Sequence, residues 1–182
     1  LDSDDQWKPT KLEAQLSSLE RENFSCRVSH TDEIWIRNGI RVNQHKKHSK
    51  AGGDLFEKCL KMCCISPSSA LIHRSVFDDL GSFDENLKAC EDYDFWLRYC
   101  AFEKTHFLNE PLTIKNGGHS DQLSQTYWGM DRFRIYSLEK LLQNKKLTRS
   151  KYQLALTELL RKLKILKNGS IKRGNSKFAE EL

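Results

Sequence analysis

Two short acidic runs hold most of the chemistry this chain could perform: Asp2-Ser3-Asp4-Asp5 at the start and Glu91-Asp92-Tyr93-Asp94 near the middle. Carboxylates this close repel one another, so folds keep them where a cation or solvent offsets the charge. Magnesium and manganese favour such hard oxygen ligands, above all when diphosphate oxygens complete the shell. The bland reading of the first run is a solvated turn capping a helix after Pro9. A calcium loop would find its first, third and twelfth places in Asp2, Asp4 and Glu13, but Trp7 stands where the sharp turn needs glycine. The second run opens a helix, where capping is the bland reading and proton transfer the functional one. His119, entered through Gly117-Gly118, could ligate a metal or hydrogen-bond a phosphate; a lone histidine in a polar loop is otherwise simply exposed. Cys59, Cys63 and Cys64 have no partner histidine at a ligand-like interval and read as core packing rather than zinc. His45-Lys46-Lys47-His48 reads as a solvated loop.

Alternating helices and strands must position these groups, which predicts an α/β fold. Pro9 suits a first helical turn, and Leu12, Leu16 and Leu19 recur at helical spacing to about Arg21. Glu33 to Asn43 reads as two strands joined by Asn38-Gly39, the pair that best tolerates a tight hairpin turn. Asp54 can cap a helix carrying Leu55, Cys59, Leu60 and Met62, and a strand near Ser69 to His73 follows. Ser75 to Leu80 makes a short helix stopped by Gly81. On the helix opened by Glu91, the side chains of Trp96, Tyr99 and Cys100 share a face. Thr105 to Leu108 and Leu112 to Lys115 read as strands around Pro111. The start at Leu1 suggests a missing upstream segment, which would leave the first acidic run with nothing to hold it and the core half covered.

Three stretches, in order, resemble family 2 glycosyltransferases: Leu1-Asp2-Ser3-Asp4-Asp5-Gln6-Trp7-Lys8-Pro9; His73-Arg74-Ser75-Val76-Phe77 with Gly81-Ser82-Phe83-Asp84-Glu85 and Glu91-Asp92-Tyr93-Asp94-Phe95-Trp96-Leu97-Arg98; and His119-Ser120-Asp121-Gln122-Leu123-Ser124. The resemblance spans residues 1 to about 125. It implies a GT-A fold, the Rossmann-like fold of nucleotide-diphospho-sugar transferases, whose nucleotide-binding strands would precede Leu1. It further implies inverting transfer of a sugar from a nucleotide-diphosphate donor to a glycan or lipid-linked acceptor, with Mn2+ or Mg2+ as cofactor. Asp2 and Asp4, with Asp5 assisting and His119 added, would hold that metal. Asp92 would be the general base, Glu91 would position it or the acceptor, and Trp96 and Asp94 would contact the acceptor sugar. Bacterial surface polysaccharide synthesis is the setting the family suggests.

Composition bounds these readings. With 38% apolar and 30% charged residues among 182, the chain can bury a core without disulfides or a structural metal. Its longest apolar runs fall far short of the roughly 20 residues a membrane span needs, and six dispersed cysteines read as reduced thiols, which points to a cytoplasmic protein. Residues 126–167 read as a helical extension, in which Tyr152, Leu156, Leu159, Leu160, Leu163 and Leu166 form an apolar stripe beside many lysines. That stripe could pack on the domain, or 149–167 could lie on the anionic inner face of the cell membrane. Residues 168–182 read as a frayed tail. The competing class is a non-catalytic basic module, but aromatics thin out after Trp128, which disfavours nucleic-acid binding.

Overall fold

A computed structural model describes residues 1–118 and 126–180. The order is β1 (Gln6–Trp7), α1 (Lys11–Arg21), β2 (Val28–Arg37), β3 (Ile40–Val42), α2 (Phe56–Lys61), β4 (Ala70–Ile72), α3 (Ser75–Leu80), α4 (Glu91–Cys100), β5 (His106–Gly117), α5 (Asp131–Leu142), α6 (Arg149–Lys172) and α7 (Ser176–Glu180), with single 3-10 turns at Lys46–His48 and Pro67–Ser69. The sheet runs β1-β5-β2-β3, with β4 also on β2. Parallel strands β2 and β5 form its centre, joined by a crossover that contains α2, α3 and α4. The opposite edge of β2 is shared: β4 pairs with Val28 to His30 and β3 with Trp35 to Arg37.

Asn38 and Gly39, at φ 50° and 76°, make the expected two-residue turn between β2 and β3, register Arg37 to Ile40. The two strands expected around Pro111 are one, β5, with its register shifting opposite Asp32 where proline interrupts the ladder.

One apolar cluster joins α2, α4, α5 and α6 over one sheet face, from Val28 and Phe56 through Phe95, Trp96 and Leu97 to Leu138, Ala155 and Leu166. Helices α5 and α6 therefore share the core instead of extending from it. Ion pairs reinforce the seam, Lys162 to Asp131 at 3.2 Å and Lys140 to Asp84 at 2.6 Å. The tail expected to fray from Asn168 is helical to Lys172 and again over α7, whose Ala179 is buried.

On the other face α1 departs from expectation. Leu12 and Leu16 are 42% and 50% exposed, while Lys11, Gln15, Ser18 and Leu19 are buried. The reason is polar: Lys11 donates to Gln15 (2.7 Å), Gln15 to the Ser29 hydroxyl (3.1 Å), and His106 bonds both Ser29 (2.9 Å) and Ser18 (3.1 Å). A satisfied buried network of this kind fixes the helix rotation as firmly as an apolar stripe would. No described helix is long and apolar enough to cross a membrane.

Candidate active site

The first acidic run is stapled in place, contrary to the expectation that nothing would hold it. Strand β1 pairs with β5 at Gln6–Ile114 and Trp7–Thr113. The Asp2 amide donates to Ser68 Oγ (2.9 Å) and Trp7 Nε1 to the Ser68 carbonyl (2.6 Å). Asn116 closes the turn from the other side, its amide donating to Asp5 Oδ1 (3.0 Å) and its Nδ2 to the Asp4 carbonyl (2.6 Å). Asp5 is thus turned inward and only 7% exposed; burial pushes its carboxyl pKa up, while Ser68, the Asn116 amide and Lys115 pull it back. It fixes the turn and is not an open ligand, whereas Asp2 and Asp4 face outward.

The second run meets the first. Cys90 precedes α4 in the left-handed region, φ 63°, a conformation that costs a non-glycine residue about 1 kcal/mol or more and recurs at functional sites. Directly after it, Glu91 and Asp92 stand at the helix amino end. The Glu91 pKa is raised, first by burial and then by the neighbouring carboxylates of Asp92 and Asp2. Residues nearly ninety positions apart in sequence therefore feel one another's charge. Asp92 Oδ1 accepts from the Tyr93 amide (2.6 Å) and Oδ2 from the Cys63 thiol (3.0 Å), so its orientation is set by a loop that no motif marked. Burial, then the Asp92 charge, hold Cys63 as the thiol, its pKa well above the usual value.

The acceptor contacts expected of the remaining residues do not survive. Trp96 is completely buried, its ring edge-on to Phe95 at 5.0 Å, and offers no face to a sugar. Asp94 is 1% exposed and pairs with Arg98 (2.8 Å) and Lys140 (3.2 Å), anchoring α4 to α5. Asp94 lies one turn from Glu91 and Trp96 one turn from Asp92, so it is burial one turn into the core that removes both from the site. His119 lies outside the described residues.

Sequence reasoning missed Ser66, Ser68, Lys115 and Asn116. Lys115 Nζ donates to Ser66 Oγ (2.6 Å) and acts electrostatically on both Asp5 and Glu33. These groups sit at the carboxyl end of β5, where open α/β sheets place their ligands.

Among the described residues no three His, Cys, Asp or Glu side chains group closely enough to hold an ion. Two outward carboxylates still fit magnesium chemistry, which commonly takes one or two protein carboxylates and completes its shell with substrate phosphate and water.

No family model matches the chain. Among curated proteins it is similar to uncharacterized glycosyltransferases of Rickettsia typhi and Rickettsia prowazekii, each 29% identical over 130 residues. In both cases 69% of this chain is matched to 41% of the relative, so the chain spans less than half their length. A third, from Rickettsia felis, is 29% identical over 131 residues and is matched over 21% of its length. Among solved structures, residues 1–349 of S. aureus TarS in complex with UDP-GlcNAc superpose on 89% of this chain and 47% of that one, with a TM-score of 0.66 at 17% identity. The mixed α/β sheet with its helices is thus the fold of that protein.

Proposed function

We propose that this chain carries the acceptor-side half of a GT-A glycosyltransferase site of family 2, transferring a sugar with inversion from a nucleoside-diphosphate sugar. The observation that carries this reading is that Ser68 and Asn116 hold the Asp2–Asp5 turn while Asp2 lies near enough to Glu91 to act on its charge, with Asp92 next to Glu91 at the amino end of α4. Three similar proteins named as glycosyltransferases, and a fold shared with a protein solved with UDP-GlcNAc, support it.

In this reading the acceptor hydroxyl oxygen attacks the anomeric carbon, forming the new glycosidic bond as the bond to the diphosphate breaks. Asp92 takes the hydroxyl proton, and the nucleoside diphosphate departs with the bonding pair. Helix α4 aims its amino end at Asp92, which favours a negative carboxylate there. Asp2 and Asp4 would hold Mn2+ or Mg2+, which supplies charge neutralisation on the departing diphosphate. Glu91, with its raised pKa, keeps a proton further towards neutrality than an ordinary glutamate and can hydrogen-bond the acceptor.

Asp92→Asn in the full-length protein is the test. Transfer should fall by about 100-fold or more, as for loss of a general base, with nucleoside diphosphate binding retained. Near-normal turnover would remove Asp92 from the role.

A further inference from the structure

A cleft that the site above does not use lies on the free stretch of the β2 edge. Neither β4 nor β3 pairs with Thr31 to Ile34, and there a cleft of about 390 Å³ opens between the β2–β3 hairpin and residues 45–50. Gln44 fills the missing strand's role, its Nε2 donating to the Glu33 carbonyl (2.9 Å) and lying 3.4 Å from Asp32 Oδ1. The floor is a buried ion pair, Lys50 to Glu33 at 3.0 Å, with Trp35 Nε1 donating to Glu33 Oε2 (2.7 Å). Asn43 and Asn109 add amides to the walls, and Trp35 adds an aromatic surface. The rim is basic: Arg41 and Lys46 line it, and no described carboxylate pairs with either. The same field, from Lys47, Lys50 and His45, joins burial in lowering the pKa of His48.

One residue of the cleft floor is tied to the loop that orients Asp92. Lys50 Nζ donates to the Cys64 carbonyl (3.2 Å), and the adjacent Cys63 thiol holds Asp92. We propose that this cleft binds the acceptor and that the acceptor is an anionic glycan. Side-chain amides and carboxylates beside one aromatic ring suit the hydroxyls and the apolar face of a sugar, and the volume lies within the roughly 300–1,000 Å³ of small-ligand sites. Arg41 and Lys46, which no described carboxylate pairs, suit a uronate carboxylate or a phosphodiester on the chain. A concave wall of this size does not suit a lipid surface, and a single ring does not make a stacking platform for nucleic acid. The assignment of the occupant as acceptor rests on the sugar-transfer reading.

The test is retention on an array of matched neutral, uronate-bearing and phosphate-bearing oligosaccharides, with a short DNA duplex alongside. The wild-type chain should retain one or both acidic sets over the neutral set. The double variant Arg41→Glu with Lys46→Glu should lose that retention about tenfold, the loss of one charge-assisted contact. Lys164→Glu with Lys167→Glu, the same charge change on the exposed side of α6, should change it less than about twofold. Melting curves establish that each variant is folded. Asp92→Asn should retain the acidic glycans as wild type does. Retention by the full-length protein without transfer to the bound glycan from any nucleoside-diphosphate sugar would defeat the sugar-transfer reading and leave the cleft as a glycan site. Absence of glycan retention, preference for neutral glycans, equal loss in both double variants, or stronger retention of DNA would each overturn the proposal.

Discussion

Single residues decide whether the acidic turn binds anything, and Asp4 is the sharpest case. Asp5 is buried and accepts from the Asn116 amide, whereas Asp2 and Asp4 are exposed at the surface where a cation could reach them. Asp4→Ala should eliminate manganese-dependent nucleoside diphosphate binding, because a missing carboxylate is not replaced by water at equal affinity; unchanged manganese-dependent affinity by calorimetry would defeat this. A second residue, Lys11, tests the buried network. It is fully buried against Gln15 and the Trp7 ring (4.4 Å), and burial lowers its pKa to about 8 from 10.5. Between those values the unfolded chain binds the proton that the folded chain has released, so stability rises as pH climbs from about 8 to 10.5, and below 8 the folded state carries the full cost of a buried charge. That cost is on the order of 3 kcal/mol. Lys11→Met should therefore flatten the stability profile across that window and leave the protein no weaker at pH 7. Denaturation at several pH values reads the result, and an unchanged slope would show that Lys11 keeps its charge when buried. The acidic runs themselves were legible in sequence, since carboxylate clustering is a local property. The Cys63 contact to Asp92 was not, because nothing in Cys63-Cys64 distinguishes a thiol aimed at a carboxylate from one packed in a core.

At the scale of elements, sequence periodicity located the helices well and their buried faces unevenly. Spacing gave α3 and α4 nearly to the residue, and Asn38-Gly39 gave the hairpin, because those signals are local sterics. For α1 the leucine stripe named the wrong face, since its inward groups are polar and pair across the sheet with Ser29 and His106. Leu12→Ala and Leu16→Ala should each shift stability by less than about 0.5 kcal/mol. Leu19→Ala, at 6% exposure, should cost about 2–4 kcal/mol through lost burial and the cavity left behind. Urea titrations separate these outcomes, and equal costs at all three positions would restore the leucine face. Trp96 and Asp94 failed as acceptor contacts for a related reason. They lie one helical turn from Glu91 and Asp92, but that turn is already inside the core, and the depth at which a helix enters the core is not a property of its own spacing.

For the whole molecule, the boundary expected near residue 125 divides elements that share one core. Leu138 and Leu141 of α5 and Ala155, Leu159 and Leu166 of α6 belong to the cluster that contains Phe56, Phe95 and Trp96. Composition could not show this, because the shift to basic residues reports the solvent face of α6 while the inner face carries the packing. The inner face also buries charge: Lys162 is 1% exposed between Asp131 and Glu158, each at 3.2 Å, and its removal would leave Asp131 to Arg134 and Glu158 to Arg161. Deleting residues 126–182 would expose the outward side of α4 and strip Lys140 from Asp84 and Asp94, leaving Asp94 buried against Arg98 alone. The shortened chain should lose its cooperative transition, and with the fold lost it should lose glycan retention as well. Intact residues 1–182 should melt in one transition by calorimetry, with Leu138→Ala and Leu166→Ala lowering the same midpoint. Two separable transitions in the intact chain, or a cooperative melt of residues 1–125 at a similar temperature, would show that α5 and α6 are an appended unit after all.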